Sequence, residues 1–298
     1  MSWKKAVVTR FHSNMVTAMD IDSGERFECM LRGKFKQQKI RPIVGDYIEY
    51  SSDNDNLKVE NILPQKNRLY RPNIANVDQV VLVTTLKDPE VDLLIVDKFL
   101  IQAEKEKLDV LIIVNKVDLL NTDEEKFKLE KFINTYSEMY DVITTSKFSM
   151  ENINLIKDNL KNKISTMAGM SGVGKSSLLN IINKDLSLKT GEISDKLKRG
   201  KHTTTFTELL YLDFGGFIAD TPGFANLELL GFDTNSLKDF FPEFDVLSAY
   251  CAFSNCAHIN EPDCEIKRCV DSGEISKSRY NNYLHIYSEI SKRRDKKW

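Results

Sequence analysis

The sequence predicts a multi-domain α/β protein with an N-terminal β domain, a central α/β domain and a C-terminal zinc-binding domain with helices. Three features indicate this: short strands before residue 68, alternating apolar strands and helices from 69 to 229, and four cysteines within 19 residues near the C-terminus. The 298 residues are 41% apolar and 29% charged, enough apolar material for more than one core. We therefore expect domains at residues 1–68, 69–229 and 230–298.

The first domain is predicted to consist of short strands. Residues 44–50 alternate between apolar and polar side chains, and residues 6–9, 15–18 and 26–31 are brief apolar-biased segments. A basic stretch follows at residues 32–41. Several short strands in about 65 residues are typical of a small barrel or a sandwich.

The central domain alternates strands with helices. Residues 77–85 form an almost continuous apolar strand, which is typical of a parallel sheet buried on both faces. Further strands are predicted at 109–114, 141–144 and 164–168, and helices at 92–107, 124–139, 152–161 and 175–182. This alternation predicts an α/β domain. Residues 205–213 and 217–220 flank a Phe-Gly-Gly turn and predict an antiparallel hairpin.

A phosphate-binding loop is predicted between the strand at 164–168 and the helix at 175–182. Residues 169–176 match G-x-x-x-x-G-K-[ST], whose glycines let backbone N–H groups approach phosphate oxygens at a helix N-terminus. Lys175 is expected to reach the β- and γ-phosphates, and Ser176 to bind Mg²⁺. The predicted nucleotide-binding residues here are Gly169, Met170, Ser171, Gly172, Val173, Gly174, Lys175, Ser176 and Ser177. The loop alone does not distinguish ATP from GTP.

A second motif, formed by Asn115, Lys116 and Asp118, predicts guanine as the base. The Asp118 carboxylate can accept hydrogen bonds from N1–H and the 2-amino group of guanine. Adenine lacks this donor pair and would leave the carboxylate unpaired, at a cost of about 1–3 kcal/mol. Ser146 and Lys147 follow the next strand and are candidates to donate backbone hydrogen bonds to guanine O6; a plain strand-to-helix turn is the other interpretation.

Two further segments are predicted to contact the γ-phosphate and Mg²⁺, one around Asp220 and one around Thr204. Asp220 ends a strand and is expected to hold Mg²⁺ through water, while the Gly223 N–H senses the γ-phosphate. Thr204 and Thr205 are both candidates to complete the Mg²⁺ shell. Phe224 stands where many GTPases carry a glutamine that orients the attacking water. Another residue or a partner must therefore take over that task.

The order of these motifs is unusual, because the guanine motif precedes the phosphate loop, whereas it follows the loop in ordinary GTPases. A compact domain whose termini lie close together tolerates such a rearrangement. The order therefore predicts a circularly permuted GTPase domain. His202 is a candidate for the water-orienting residue, and a solvent-facing loop histidine is the alternative.

The cysteine cluster predicts a metal site. Cys251, Cys256, His258 and Cys264 offer three thiolates and one imidazole, a closed tetrahedral set for structural Zn²⁺. Without an export signal, such a cluster indicates metal before disulfide. Cys269 is left over as a spare thiol or a replacement ligand, and Cys29 is expected to lie in a core.

The charge distribution predicts a polyanionic partner. Residues 1–72 carry 13 basic and 9 acidic side chains and residues 267–298 carry 9 and 4, whereas the middle has a net charge of −11. The basic ends therefore suit a nucleic acid, with solvated surfaces as the alternative. No signal peptide and no apolar run of 18 residues is visible, so we expect a cytoplasmic protein without a membrane segment.

Together these residues resemble the family of small-subunit-dependent GTPases called RsgA, YjeQ or YloQ. The resemblance covers nearly the whole chain. Its segments are residues 32–34, 42–46, 71–79, 115–118, 171–176, 199–205 and 220–224 and the Cys/His set. The chain departs from the family at Met170, where glutamine is usual, and we expect this to tune nucleotide affinity rather than abolish activity.

The resemblance implies an OB-fold barrel, a permuted P-loop GTPase domain and a zinc domain. It also implies GTP hydrolysis stimulated by the 30S ribosomal subunit during late maturation, contact with 16S rRNA, and His202 as the catalytic histidine. We expect GTP, GDP, Mg²⁺ and one Zn²⁺ as bound species, and a monomer. Two alternatives remain: a GTP-dependent RNA-binding module whose hydrolysis is incidental, and an ATP-using P-loop enzyme such as a kinase.

Overall fold

The computed structural model describes residues 3–53, 56–70, 73–183, 208–220, 229 and 231–295. Its strands are β1 (Lys4–His12), β2 (Met15–Asp20), β3 (Arg26–Leu31), β4 (Tyr47–Asp53), β5 (Asn56–Ile62), β6 (Arg68–Tyr70), β7 (Asn73–Ala75), β8 (Gln79–Thr84), β9 (Asp109–Val114), β10 (Asp141–Thr144), β11 (Ile164–Ala168), β12 (Leu209–Tyr211) and β13 (Phe217–Asp220). Its α-helices are α1 (Gly33–Gln37), α2 (Leu93–Lys105), α3 (Asp123–Tyr136), α4 (Ile153–Leu160), α5 (Lys175–Ile182), α6 (Pro242–Ser248), α7 (Glu265–Ser272) and α8 (Lys277–Asp295).

The first five strands close a barrel in the order β1-β2-β3-β5-β4. Neighbouring strands pair antiparallel, except β3 and β5, which pair in parallel. Val8, Ile48 and Val59 are fully buried in its core, and Phe35 of α1 packs with them. The closed barrel confirms the first of the two interpretations of this segment.

The strand predicted at 44–50 begins later, at Tyr47. Gly45 has a φ of +87°, which an extended strand does not allow. The Asp46 carboxylate accepts a hydrogen bond from the Ile43 N–H at 2.8 Å, so residues 43–46 form a turn. The alternation of apolar and polar side chains continues through this turn, so the strand predicted from it began too early.

Six strands form a sheet in the order β10-β9-β8-β11-β13-β12. The pairs β10–β9 and β11–β13 are parallel, whereas β12 runs antiparallel to β13. Every residue of β8 and β11 is buried, and for β8 this agrees with its almost continuous apolar sequence. The predicted α/β architecture is therefore confirmed. The predicted hairpin is confirmed for β12 and β13, while residues 205–207 of its first predicted strand lie outside the described residues.

Capping side chains set the starts of two helices. The Asp92 carboxylate accepts hydrogen bonds from the N–H groups of Leu94 and Ile95, so α2 begins at Leu93. A capping box between Thr122 and Glu125 starts α3 at Asp123. Both starts lie within one residue of the predicted positions.

The contacts of the chain divide it into two compact units. One contains residues 1–81, 153–168 and 175–224, and therefore the barrel, β11 to β13, α4 and α5. The other contains residues 82–152, 169–174 and 225–298, and therefore β9, β10, α2, α3 and the C-terminal helices.

The second unit has an aromatic core around α8. Tyr283 and Ile286 of α8 are fully buried and belong to one cluster with Phe241 and Phe244. The ring centroids of Phe241 and Tyr283 lie 5.2 Å apart in an edge-to-face arrangement. None of the described helices is long and apolar enough to cross a membrane.

Candidate nucleotide site and metal centre

The phosphate loop connects the end of β11 at Ala168 to the start of α5 at Lys175. Gly169 has a φ of +137°, and a Cβ there would overlap the carbonyl oxygen of Val83. Gly174 has a φ of +94°, and a Cβ there would lie 2.5 Å from Nδ2 of Asn115. Only glycine fits either position, because both the backbone conformation and the space exclude a side chain.

The guanine motif contacts this loop directly. Nδ2 of Asn115 donates a hydrogen bond to the carbonyl oxygen of Val173 at 2.9 Å, and Asn115 is buried. Nζ of Lys116 donates to the carbonyl oxygen of Gly172 at 2.7 Å and also to that of Asp88. Two side chains of the guanine motif thus hold the backbone of the phosphate loop.

The carboxylate of Asp118 is oriented by the loop that follows β10. The hydroxyl of Ser146 donates to Oδ1 of Asp118, and the N–H of Phe148 donates to that hydroxyl oxygen at 3.1 Å. Ser146 is 1% exposed. A buried hydroxyl with both a donor and an acceptor partner has one preferred orientation, so the Asp118 side chain is held in place before any base binds.

The other predicted residues are distributed as follows. Lys175, Ser176 and Ser177 form the half-buried first turn of α5, and Met170, Ser171 and Lys147 are exposed. Asp220 is the last residue of β13. His202, Thr204, Thr205 and Gly223 lie outside the described residues.

The four predicted metal ligands come together. One ligand atom each from Cys251, Cys256, His258 and Cys264 lie within 4.8 Å of one another. Nδ1 of His258 is 3.4 Å from Sγ of Cys264 and 3.7 Å from Sγ of Cys251. Zn–S bonds of about 2.3 Å and Zn–N bonds of about 2.0–2.1 Å in a tetrahedron require separations of this size.

Burial shifts the pKa values of two ligand side chains in this cluster. Burial raises the pKa of Cys256 to about 12 and lowers the pKa of His258 to about 4. Without a cation the thiol therefore stays protonated and the imidazole stays neutral. A bound divalent cation deprotonates coordinating thiols, so the donor set is suited to holding one.

The two remaining cysteines lie outside this cluster. Cys269 is buried, and its Sγ donates to Oε1 of Glu265 at 3.8 Å. Cys29 belongs to the barrel core, where burial raises its pKa to about 12. Cys269 is thus a spare thiol rather than a replacement ligand, and Cys29 is a core residue as predicted.

Comparison with known proteins identifies the family. The model of the RsgA GTPase family matches residues 62–230, and the model of the RsgA N-terminal domain matches residues 20–58. The chain belongs to the RsgA GTPase family. It is therefore a GTP hydrolase, and membership implies GTP, GDP and Mg²⁺ as its bound species. The circular permutation inferred from motif order is in keeping with this family.

Relatives and solved structures of the RsgA GTPase family match over nearly the whole chain. The small ribosomal subunit biogenesis GTPase RsgA of Thermotoga petrophila is 49% identical over 294 residues, covering 98% of this chain and 99% of that protein. The relative of the same name from Caldanaerobacter subterraneus is 42% identical, covering 91% of each chain.

Two crystal structures also match this chain. YjeQ from Thermotoga maritima has a TM-score of 0.85 and 45% identity, covering 97% of this chain and 99% of that one. YloQ, described as a circularly permuted GTPase, has a TM-score of 0.83 and 32% identity, covering 98% and 96%. The fold class predicted from the sequence is therefore confirmed.

Sequence reasoning missed the residues that support both sites. The hydroxyl of Ser146, unlike its backbone, was not predicted to take part. Glu261 was also missed: its carboxylate accepts hydrogen bonds from the N–H groups of Ala257 at 2.7 Å and Ile259 at 2.9 Å. Glu261 lies three residues after the ligand His258. A carboxylate at this spacing can accept hydrogen bonds from the N–H groups around the ligand, so the sequence did contain a signal for this role.

Proposed function

We propose that this chain is a GTPase that binds the small ribosomal subunit and hydrolyses GTP during late maturation of that subunit, with the subunit stimulating hydrolysis. The observation that carries the guanine assignment is the hydrogen bond from Asn115 to Val173, because it joins the base-reading motif to the phosphate loop. The names of the relatives, small ribosomal subunit biogenesis GTPases, support the choice of partner.

In this proposal the phosphate loop binds the β- and γ-phosphates through its backbone N–H groups and Lys175. Asp118 accepts hydrogen bonds from the base, and Asn115 and Lys116 fix its distance from the phosphates. Ser176 and Asp220 hold Mg²⁺, which neutralises charge on the β- and γ-oxygens when bound.

The switch residues complete the proposed site. Thr204 or Thr205 ligates Mg²⁺ in the GTP state, Gly223 reads the γ-phosphate, and His202 orients the attacking water. Because Phe224 cannot replace the usual glutamine, unstimulated turnover is expected on the order of 10⁻⁴ to 10⁻² s⁻¹.

The RNA-binding barrel comprises residues 1–68 in this proposal. The GTPase domain comprises residues 69–229, and the zinc domain comprises residues 230–298. The barrel offers exposed basic side chains, among them Lys34 and Lys36 of α1, to the phosphates of 16S rRNA. One Zn²⁺ bound by Cys251, Cys256, His258 and Cys264 stabilises the C-terminal domain. The protein acts as a cytoplasmic monomer.

The test is GTP turnover of the full chain with and without purified small subunits, with large subunits as the control. We expect a rise of at least tenfold with small subunits alone. The absence of stimulation by both mature and immature small subunits would contradict the proposal. Replacing His202 by Ala distinguishes the second candidate: if hydrolysis stops and release from the subunit is unchanged, hydrolysis is incidental to RNA binding.

A further inference from the structure

The two ring nitrogens of His258 face different partners. Nδ1 faces the thiols, at 3.4 Å from Sγ of Cys264. Nε2 lies 3.2 Å from the hydroxyl oxygen of Ser248, the last residue of α6. The rings of Phe244 and His258 pack edge-to-face, with centroids 5.6 Å apart. The ring is fully buried, so each nitrogen has a defined neighbour instead of bulk water.

The hydroxyl of Ser248 already uses its hydrogen. It donates a 2.6 Å hydrogen bond to the carbonyl oxygen of Phe244, four residues earlier in the same helix. A serine hydroxyl has one hydrogen and two lone pairs. Towards His258 the Ser248 oxygen can therefore only accept a hydrogen bond. Nε2 must carry the hydrogen of the neutral imidazole, and the lone pair is left on Nδ1.

We propose that Ser248 is a positioning residue that fixes His258 in the tautomer whose Nδ1 binds zinc. The inference rests on the proposed zinc site and adds which atom binds and which side chain selects it. With the opposite tautomer, the lone pair of Nε2 would face a lone pair of Ser248, and an N–H would face the thiols. Hydrogen-bonding groups that orient a metal-binding histidine typically affect metal affinity by about 10–100-fold when removed.

The backbone around His258 is held independently of Ser248. His258 has a φ of +59°, an uncommon conformation for a residue with a side chain. Its carbonyl oxygen accepts a hydrogen bond from the Tyr280 hydroxyl at 2.7 Å, and that of Ala257 accepts one from Tyr283 at 2.6 Å. Because these tyrosines and Glu261 hold the loop, removal of the Ser248 hydroxyl should release the ring without unfolding the loop.

The first experiment reads the tautomer directly in the wild-type chain. The full-length protein is loaded with zinc, its histidines are labelled with ¹⁵N, and long-range proton–nitrogen correlations are recorded by NMR. We expect the ring that responds to zinc removal to have a metal-bound Nδ1 and a protonated Nε2. A metal-bound Nε2 overturns the inference while leaving the zinc site intact. No zinc uptake by the wild type overturns both.

The second experiment measures the contribution of Ser248. Zinc transfer from the loaded full-length chain to a chromogenic chelator should become about 10–100-fold faster in Ser248→Ala. Ser248→Thr keeps a hydroxyl and should restore the slow rate. The matched control is Ser272→Ala in α7, whose hydroxyl donates to the Cys269 carbonyl oxygen at 3.1 Å and does not contact His258. Equal rates in Ser248→Ala and the wild type overturn the inference.

Discussion

Arg279 of α8 and Asp97 of α2 form a fully buried ion pair, with Nη1 and Oδ1 at 2.6 Å and side chains 1% and 0% exposed. Nε of Arg279 also donates to Oε1 of Glu243 at 2.7 Å. The other oxygen of Asp97 accepts a hydrogen bond from Asn282. This network fastens α8 to α2 and α6 within the second unit, and no pattern in the sequence predicted it.

We expect Arg279→Met to lower the free energy of unfolding by about 3–5 kcal/mol, because it leaves the carboxylate of Asp97 buried without its cation. Urea unfolding of the full chain measures this loss. Adding Asp97→Asn to the same chain should recover part of it. A loss below about 1 kcal/mol, the range of exposed pairs, would mean that the network is not intact in solution.

Ser146→Ala should weaken binding of GTP and GDP by about 5- to 100-fold. The reason is that the half-buried carboxylate of Asp118 loses a hydrogen-bond donor, a change worth roughly 1–3 kcal/mol. Equilibrium titration with fluorescent nucleotides measures the change. Ser149→Ala is the control, because Ser149 bonds only to the backbone of its own loop among the described contacts. Unchanged affinity in Ser146→Ala would show that Asp118 does not need this support.

Asp118→Asn should shift the base preference from guanine towards xanthine nucleotides. The asparagine amide donates to the 2-oxo group of xanthine, whereas the carboxylate accepts from the 2-amino group of guanine. Competition of GTP, XTP and ATP for the wild type and the variant measures the shift. A wild-type preference for ATP would remove the guanine assignment itself.

Asp20 of the barrel should make acid stability depend on Tyr50. Burial opposes ionisation, but hydrogen bonds from the Tyr50 hydroxyl and from Ser23 outweigh it and lower the pKa of Asp20 from 3.8 to about 2. Since the folded-state pKa lies below the ordinary value, this stabilisation is complete above about pH 4 and disappears as the pH falls from 3.8 to 2. Tyr50→Phe should raise the pKa of Asp20, measured by carboxyl NMR.

The control for this titration is Tyr70→Phe, because Tyr70 is 77% exposed and lies on β6, outside the barrel strands. It should leave the pKa of Asp20 unchanged. The same pKa of Asp20 in Tyr50→Phe and the wild type would contradict the assigned cause.

Neutralising the basic ends should weaken binding to the small subunit and flatten its salt dependence. The changes are Lys34→Gln with Lys36→Gln, and separately deletion of residues 293–298. Each lost phosphate contact should reduce the slope of log affinity against log salt by about 0.7–0.9. Arg32 adds less than these lysines, because it pairs with the buried carboxylate of Glu60. Lys126→Gln with Lys128→Gln, in α3 of the acidic middle, should change neither quantity.

Features that depend only on short continuous segments could be predicted from the sequence alone. The phosphate loop, the guanine motif and the four metal ligands each lie in a continuous stretch whose spacing is set by local chemistry. The boundaries of α5 and β11 agree with the predicted ranges because a glycine-rich turn separates a buried strand from a helix there. The permuted domain could also be inferred, because the order of the motifs along the chain is itself a property of the sequence.

The tertiary structure decided which distant side chains support those segments. Asp97 meets Arg279 across 182 positions, Ser146 meets Asp118 across 28 and Ser248 meets His258 across 10. Hydrogen bonds of this kind leave no periodicity in the sequence, because they depend on how helices and strands pack rather than on local spacing. The sequence therefore determined the chemistry available at each site, and packing determined the orientation in which each group is held.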